Sequence, residues 1–325
     1  MEKKISVVVP TYRRQKLLGK CIEALCSQSF EKADFEIIVV SDGPDRQTHD
    51  LLNHLEYLQH PFVQYIALGQ NSGPAAARNA GWRSANGRLI AFTDDDTEPD
   101  KDWLSAFWKA SLRQNQAACG FVGNVKVPIS EQPTDFERNT AHLETADFVT
   151  ANCACTKTVL ERVGGFDERF TTAWREDSDL EFRLIGAGIP IIRVPEAVVV
   201  HPVRKAAWGV SIREQKKTMF NALLYKKFPA LFRQKIQASP EWRYYITIAG
   251  AVLCVAGIAI LSKPVFAAGA IVYLACTARF IVRRLSATSR QPNHVAEMVV
   301  TSLVIPFLSI FWTLYGSVKY RVLFY

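Results

Sequence analysis

Three long runs with almost no charged residues lie near the end of the chain, and they restrict its fold more than any other feature. Residues 244–261 are uncharged, residues 265–282 carry only Arg279, and residues 295–318 carry only Glu297. An α-helix needs about 20 apolar residues to cross the hydrocarbon core of a bilayer. A buried bundle in a soluble protein is the alternative, but three such runs so close together leave little polar surface. The sequence therefore predicts a membrane domain of two to three hydrophobic helices.

Charge divides the rest of the chain. Residues 1–202 contain 22 Lys and Arg against 28 Asp and Glu, a balance of −6, whereas residues 203–243 contain 10 against 2, a balance of +8. In the second stretch the basic residues are interspersed with Trp, Met, Leu and Phe, which is typical of an amphipathic region on anionic lipid; a solvated helix is the alternative. No nucleic-acid partner is expected, because the basic stretch leads into apolar runs. We predict a soluble domain at 1–202, a basic juxtamembrane region at 203–243 and a membrane domain at 244–325.

The arginines near the membrane runs predict an orientation. Four of them cluster at and after the end of the second run: Arg279, Arg283, Arg284 and Arg290. Lys263 is the only basic residue between the first two runs, so the positive-inside rule places the soluble domain in the cytoplasm. Lys319 and Arg321 disagree with three full spans, and the third run is therefore either spanning, interfacial or re-entrant. With no signal peptide before the first strand, we expect a multi-pass inner-membrane protein with reduced thiols.

Two periodicities alternate in the first 92 residues. Four short apolar runs predict buried strands, at residues 5–9, 35–40, 63–67 and 88–92. Apolar residues at helical spacing, and a Ser-Gly-Pro start, predict three helices between them, at residues 17–25, 51–58 and 74–84. Strands alternating with helices indicate an α/β fold with a mostly parallel, doubly wound sheet. In such a sheet the ligand binds outside the carboxyl ends of the strands.

The residues after these strands are therefore the candidate site. They are Pro10, Tyr12, Asp42, Arg78 and the triplet Asp94-Asp95-Asp96. Three adjacent carboxylates repel one another unless a cation lies between them; a solvated acidic turn is the alternative. The set suits a nucleotide diphosphate, with an aromatic ring and a carboxylate for the base, an acidic pair for ribose and metal, and an arginine near phosphate. A Rossmann dinucleotide site is not expected, because no Gly-x-Gly-x-x-Gly follows the first strand.

Six motifs in order resemble the family 2 glycosyltransferases, which have the GT-A nucleotide-sugar fold. They are VVVPTYR at 7–13, IIVVSDG at 37–43, NSGPAAARNAG at 71–81, the aspartate triplet, GGFDE at 164–168 and EDSDLEFRL at 176–184. The resemblance covers roughly residues 4 to 202. It implies a hexosyltransferase that uses a nucleotide-diphosphate sugar and a divalent metal, Mg²⁺ or Mn²⁺, in the synthesis of a cell-envelope polysaccharide or glycolipid.

The same resemblance implies roles for the residues that bind the donor. Pro10 and Tyr12 line the nucleobase pocket, and Asp42 hydrogen-bonds the base, which we expect to be that of a UDP-sugar. Arg78 lies near the diphosphate or the ribose.

The triplet has the metal-binding role in this interpretation. Asp94 contacts the ribose and Asp96 holds the metal, while Asp95 either lines the substrate site or reaches the metal. His201, which follows a late strand, either completes the metal shell, contacts the diphosphate or is an ordinary surface histidine.

Chemistry on the acceptor is expected at a second acidic pair. The Glu176-Asp177 element implies an inverting transfer with Asp177 as catalytic base and Glu176 in the substrate site; N-capping of a helix is the alternative for Asp177. Trp174 stacks on a sugar ring or packs in the core. Residues 127–149 show little periodicity and suit a mobile lid over the acceptor. The nearby membrane domain favours a lipid or lipid-linked acceptor, although a saccharide is possible.

Two other classes remain as alternatives. A nucleotidyltransferase has a similar sheet, but the Gly-rich loop expected after its first strand is missing. A non-catalytic membrane assembly module could retain the fold, although the acidic residues are intact. A processive synthase is disfavoured, because three C-terminal runs are few for a pore and the Gln-x-x-Arg-Trp motif is absent.

Overall fold

The computed structural model of the protein describes residues 3–54, 57, 60, 62–115 and 118–324. It divides into two compact units. The first consists of Met1–Pro128 and Ala141–Val203, and the second of Ile129–Thr140 and Arg204–Tyr325. The chain thus leaves the first unit once, at 129–140, before it enters the second unit for the rest of its length.

A single sheet of eight strands forms the centre of the first unit. The strands are β1 Lys3–Thr11, β2 Phe35–Ser41, β3 Val63–Ala67, β4 Gly87–Phe92, β5 Glu98–Pro99, β6 Gly120–Lys126, β7 Cys153–Thr156 and β8 Ile191–Val200. Their order is β3-β2-β1-β4-β7-β6-β8-β5. Strands β1 to β4 pair in parallel, as predicted, whereas β7 is antiparallel to both β4 and β6. The α/β fold class is confirmed, with a sheet that is mixed in its second half.

Helices cover both faces of this sheet. They are α1 Gln15–Cys26, α2 Arg46–His54, α3 Pro74–Ser84, α4 Trp103–Arg113, α6 Lys157–Val163 and α7 Glu176–Gly186, with α5 Asp135–Ala141 at the departure from the unit. One apolar core joins α1, α2 and α4 to the sheet, and a second joins α3, α6 and α7 to its other face. Along β1 the side chains of Val7 and Val9 enter the first core and Val8 enters the second, so a strand buried on both faces reads as continuous β-branched residues.

The predicted elements of the N-terminal part are confirmed with small changes in length. The second predicted helix begins earlier, at Arg46, because Asp45 accepts hydrogen bonds from the Thr48 backbone N–H (3.1 Å) and hydroxyl (2.5 Å) and so caps it. Leu55 and Leu58, which were predicted to belong to that helix, lie outside the described residues.

The second unit is helical in its described residues. Its helices are α8 Val210–Glu214, α9 Met219–Lys227, α10 Pro229–Lys235, α11 Trp242–Ala259, α12 Lys263–Leu285 and α13 Pro292–Tyr320, with a 3₁₀ turn at Gln215–Thr218. Within the described part of the chain, α11, α12 and α13 are long and apolar enough to cross a membrane. Helices α11 and α12 form a tight hairpin, in which a Cβ on Gly257 would lie 2.4 Å from the backbone nitrogen of Phe266.

Residues 129–140 are well ordered by local hydrogen bonds. Thr134 and Glu137 form a capping box at the start of α5: the Thr134 N–H donates to Glu137 Oε2 at 2.7 Å, and the Glu137 N–H donates to Thr134 Oγ1 at 3.2 Å. Asp135 pairs with the buried Arg284 at 2.8 Å within the second unit. The segment for which little periodicity predicted a lid therefore contains a capped helix and a buried ion pair.

Candidate active site

The carboxyl ends of the parallel strands bring the predicted residues to one edge of the sheet. Thr11 at the end of β1 is in register with Ser41 at the end of β2, and Val8 is in register with Phe92 at the end of β4. Tyr12, Asp42 and the aspartate triplet follow directly, so they share this edge. The cause is the parallel pairing of these strands, which puts their carboxyl ends at the same edge.

The triplet divides into two parts. Asp94, Asp96 and His201 each offer a ligand atom, and these atoms lie within 4.8 Å of one another. His201 follows β8, where its N–H donates to the Lys126 carbonyl at 2.8 Å. Its Nε2 is 3.5 Å from Asp96 Oδ1, and its Nδ1 is buried without a hydrogen-bond partner. Two carboxylates and an imidazole suit a divalent cation such as Mn²⁺ or Mg²⁺, so the side chains present fit the predicted metal.

Asp95 points away from this cluster. The Thr11 hydroxyl donates to its Oδ2 at 2.8 Å and Arg14 Nη1 to its Oδ1 at 3.0 Å. Burial raises the pKa of Asp95 to about 6, the Asp96 carboxylate adds to that rise, and Arg14 opposes it. Thr11 and Arg14 were not among the predicted site residues. The triplet lies in a turn, with the Thr97 N–H 3.3 Å from the Asp94 carbonyl, and no sequence pattern connects Asp95 with Thr11 and Arg14.

Asp42 holds the loop that precedes α3. Its Oδ1 accepts from the Ser72 N–H at 2.7 Å, and its Oδ2 accepts from the Asn71 side chain at 3.0 Å and the Gly73 N–H at 2.9 Å. Gly73 has φ +95°, and a Cβ there would lie 2.6 Å from the Thr171 carbonyl oxygen. Only glycine fits that conformation and that contact. Asp42 therefore fixes the loop at Asn71, Ser72 and Gly73 by accepting hydrogen bonds from its backbone and side-chain donors.

Arg78 connects the two acidic groups. It is fully buried on α3, with Nη2 2.7 Å from Asp94 Oδ1 and Nη1 3.1 Å from Glu176 Oε1. Burial alone would raise the pKa of Asp94, but the guanidinium reverses this and holds it below the ordinary value. The guanidinium of Arg78 is thus paired with two carboxylates, and its place near the diphosphate or the ribose of a donor stays a prediction.

The Glu176-Asp177 pair begins α7 after a strained residue. Arg175 has φ +74° and is the N-cap, so Asp177 lies inside the first turn and is not the capping residue. Asp177 Oδ1 accepts from the Ser178 N–H at 2.6 Å, and burial raises the pKa of Asp177. Burial, followed by the Asp177 charge, raises the pKa of Glu176 to about 7. Glu176 Oε2 is buried without a hydrogen-bond partner. Carboxylates with raised pKa values beside a cleft are candidates for proton transfer.

Three further predicted site residues, Pro10, Tyr12 and Trp174, also belong to the first unit. Pro10 is buried within β1, next to the site. Tyr12 is half-buried with the Arg13 guanidinium 5.0 Å from its ring, and Trp174 is 36% exposed with the Arg175 guanidinium 4.6 Å from its ring. A guanidinium group therefore lies close to each of these two rings. Arg13 and Arg175 were not predicted to belong to the site. The only sequence signal for them is that each directly follows a predicted aromatic residue.

Comparison with known protein families gives two matches. The sequence matches the family described as glycosyl transferase family 2 over residues 6–164, and glycosyl transferase family group 2 over residues 134–282. The two ranges overlap and together extend from β1 into α12.

Individual relatives cover parts of the chain. Validoxylamine A glucosyltransferase of Streptomyces hygroscopicus subsp. limoneus is 27% identical over 248 residues, which are 65% of this chain and 52% of that protein. A GalNAc(5)-diNAcBac-PP-undecaprenol beta-1,3-glucosyltransferase of Campylobacter jejuni is 35% identical over 95 residues, 29% of this chain and 30% of that protein. The chain spans about half the length of the first of these relatives.

A solved structure is similar over nearly the whole chain. Mannosyltransferase PcManGT from Pyrobaculum calidifontis, in complex with GDP-Man and Mn²⁺, superposes with a TM-score of 0.56 at 18% identity, covering 99% of this chain and 88% of that one. At this identity the similarity establishes the fold, and the GT-A prediction is confirmed.

Proposed function

Since the chain belongs to glycosyl transferase family 2, we propose that it transfers a sugar from a nucleotide-diphosphate donor to a hydroxyl of a lipid or lipid-linked acceptor, with inversion at the anomeric carbon. The donor is a UDP-sugar in this proposal, and the reaction takes place at the cytoplasmic face of the cell membrane. A nucleotide pocket, a cation site and a carboxylate base are the three parts that such a reaction needs.

One observation carries the proposal: Arg78 bonds both to the cluster of Asp94, Asp96 and His201, which could hold a cation, and to the Glu176-Asp177 pair. Its contacts of 2.7 Å to Asp94 and 3.1 Å to Glu176 fix the spacing between the two groups. A donor diphosphate bound beside Asp94 and an acceptor hydroxyl beside Asp177 would then meet at a fixed distance. Alignment of two reactants is a large part of catalysis in such transfers.

The chain's own residues account for the proton and the leaving group. Asp177 takes the proton of the acceptor hydroxyl, whose oxygen forms the new bond to the anomeric carbon. The bond from that carbon to the diphosphate oxygen breaks at the same time, so the nucleotide diphosphate leaves with the electron pair. The raised pKa of Asp177 makes it a stronger base than an exposed aspartate.

A divalent cation held by Asp94, Asp96 and His201 would supply positive charge to the diphosphate oxygens. Without it, the acidic cluster would repel the donor. Tyr12 and Pro10 border the base, Asp42 keeps the loop at Gly73 in place or accepts from the base, and Asp95 orients the triplet through Thr11 and Arg14. Trp174 offers a partly exposed ring to a sugar.

The second unit supports a lipid-linked acceptor. It contains three helices apolar enough to cross a membrane, and a chain bound to lipid meets lipid-linked acceptors at high local concentration. The name of the Campylobacter relative specifies an undecaprenol-linked acceptor, and another relative, of Bacillus spizizenii, is a poly(ribitol-phosphate) beta-glucosyltransferase. Both lipid-linked and polymeric saccharide acceptors should therefore be tested.

The decisive experiment measures products from the full-length protein in detergent. Nucleotide sugars are incubated with Mn²⁺ and a panel of polyprenyl-phosphate and glycolipid acceptors, and nucleotide diphosphate and product anomeric configuration are recorded. We expect nucleotide diphosphate and an inverted product, both lost on chelation and in Asp177→Asn but retained in the exposed control Glu161→Gln. Pyrophosphate release would indicate a nucleotidyltransferase. No release with any donor would favour a non-catalytic module.

A further inference from the structure

Helix α13 is accompanied along most of its length by one preceding segment of the second unit. Near its start, the Gly209 N–H donates to Glu297 Oε1 at 2.7 Å. Near its end, Gly316 approaches the backbone of Met219 so closely that a Cβ would lie 2.4 Å from the Met219 carbonyl oxygen. The two chain segments therefore run side by side in the same direction.

The contacts continue to the end of the helix and beyond. Lys226 Nζ donates to the Tyr320 carbonyl at 2.8 Å. The Phe324 ring is 5.3 Å from the Phe232 ring on α10. Since Phe232 lies only ten residues before Trp242, where α11 begins, the far end of α13 is tied to residues that have not yet entered the membrane.

The start of α13 is tied to the same end of the hairpin. Arg284, in the last turn of α12, donates to Thr301 Oγ1 at 2.6 Å and to Ser302 Oγ at 3.1 Å. The Tyr244 and Phe280 rings, 5.6 Å apart, show that α11 begins beside the end of α12. Both ends of α13 are thus attached to the open end of the α11–α12 hairpin or to the segment leading into it.

The other face of α13 is a continuous apolar stripe. Its exposed residues recur at helical spacing: Val299, Val300, Leu303, Val304, Phe307, Phe311, Leu314, Tyr315 and Val318. The covered face contains Thr301, Ser302 and Gly316 together with buried apolar residues, namely Met298, Ile305, Pro306 and Ile310. The uncovered face is the one that carries this exposed apolar stripe, and a stripe of that size needs lipid or another apolar partner.

The accompanying segment is strongly charged. It contains Arg213, Glu214, Lys216, Lys217 and Lys226 between Gly209 and Lys227. If α13 crossed the bilayer, this segment would cross beside it and place several of these charges in the hydrocarbon. Charged side chains are strongly unfavourable at that depth.

We propose that α13 lies along the lipid–water boundary, with its apolar stripe in the acyl region and the basic segment toward the headgroups, so that only α11 and α12 span the membrane. The partner of this surface is a bilayer carrying phosphate headgroups. Lys216, 5.9 Å from the Trp312 ring, and the exposed Lys319 and Arg321 provide positive charge at its edge. Trp312 and Tyr315 are the residue types that collect at this depth.

Sidedness tests the proposal with one cysteine added at a time to the full-length protein in sealed membrane vesicles. Ser262→Cys reports the α11–α12 turn, Ala287→Cys the α12–α13 loop, and Val322→Cys the end of α13. A membrane-impermeant maleimide is added before and after detergent, and the parent chain sets the background from native cysteines. We expect positions 287 and 322 to label from one side and 262 from the other. Labelling of positions 322 and 262 from the same side would overturn the proposal, as would labelling of positions 262 and 287 from the same side.

Depth provides a second, independent measurement. A bimane fluorophore on Phe311→Cys, in phosphatidylcholine vesicles containing phosphatidylglycerol, is quenched by lipids that carry a nitroxide either near the headgroup or deep in the acyl chain. An interfacial helix gives stronger quenching from the shallow nitroxide. Stronger quenching from the deep nitroxide would show that the middle of α13 lies in the bilayer centre, and would overturn the proposal even with same-side labelling.

Discussion

Two buried arginines, one in each unit, hold distant segments of the chain together, but the net charge around them differs. Arg78 bonds two carboxylates, those of Asp94 and Glu176, at 2.7 and 3.1 Å. Arg284 bonds the carboxylate of Asp135 at 2.8 Å, and its other donors reach hydroxyl groups of Thr301, Ser302 and Ser211.

Around Arg78 the carboxylates outnumber the guanidinium groups. Four acidic side chains lie in that cluster, namely Asp94, Asp96, Glu176 and Asp177, and even with Arg175 counted the sum is negative. The Arg284 cluster pairs one cation with one anion and completes the shell with neutral hydroxyls. A closed, neutral set has its charges already paired, whereas an open, negative set retains the capacity to bind a cation and accept a proton. The difference distinguishes a structural ion pair from a reactive one.

The largest effect is expected for Arg78→Met. The change leaves the buried Glu176 and the partly exposed Asp94 without their cation, and the loss at one buried carboxylate costs about 3–5 kcal/mol. We expect at least that decrease in the free energy of unfolding, measured by denaturant titration in detergent, together with loss of thermal stabilisation by UDP and Mn²⁺. Adding Glu176→Leu should leave nucleotide binding impaired. Full recovery of binding in the double variant would mean that Arg78 is only a structural residue.

Asp177→Asn should separate chemistry from binding within the Arg78 cluster. The amide keeps the shape but cannot take a proton, so turnover should fall by about 10²–10⁴-fold. Stabilisation by UDP and Mn²⁺, read as the shift in melting temperature, should remain. If turnover changes little, another group, with Glu176 first in line, accepts the proton.

Arg284→Met should weaken folding and leave the donor site intact. Breaking this pair should lower the free energy of unfolding by up to about 3 kcal/mol, because Asp135, which is 17% exposed, keeps its charge without its cation. The double variant Arg284→Met with Asp135→Leu should recover most of the loss, since an apolar pair replaces an ionic one. Denaturant titrations of the two variants measure this. If the double variant is as unstable as the single one, then Arg284 and Asp135 do not act simply as a pair of charges that neutralise each other.

Asp95→Asn should have an intermediate effect on metal affinity. Asp95 orients the triplet without belonging to the cation cluster, and loss of such a supporting group typically costs about 10–100-fold in metal affinity. Mn²⁺ titration followed by melting temperature gives the change, with Arg14→Gln as a milder comparison because Arg14 is 42% exposed. An affinity equal to that of the parent would remove Asp95 from the functional site.

The smallest effect concerns pH. Because burial raises the pKa of Glu176 to about 7 from its ordinary 4.5, the folded state holds a proton that the unfolded state releases. The stability gained from the protonated form is complete below pH 4.5 and is lost as pH rises through about 7. The parent should therefore lose stability relative to Glu176→Gln, by about 1 kcal/mol per pH unit within this window. Melting curves of both proteins across the window test the sign, and a parallel pH dependence would contradict it.

Local pattern explains what could be predicted. Strands β1 to β4 and their helices follow from short-range periodicity, because each core face takes its apolar residues from neighbours in sequence. The parallel pairing then brings Asp42 and the triplet to one edge without further information.

Long-range pairings explain what could not be predicted. Arg78 and Glu176 are 98 residues apart, and no spacing rule connects them. The antiparallel strand β7 and the departure of 129–140 depend on tertiary contacts rather than on local propensity. For the third apolar run, hydrophobicity predicts only a length sufficient to cross a membrane, whereas the position that we propose for it rests on its contacts with the charged segment beside it.

The Asp135–Arg284 pair also has a consequence for the order of events during synthesis. Its partners are separated by 149 residues, so at about 5–20 residues per second Asp135 is synthesised roughly 7–30 s before Arg284. Throughout that interval the segment at 129–140 has no counter-ion, although the strands on either side of it can already pair. The nascent chain must therefore keep this segment soluble until the second apolar helix is complete, and truncation at residue 203 would leave it permanently in that early state.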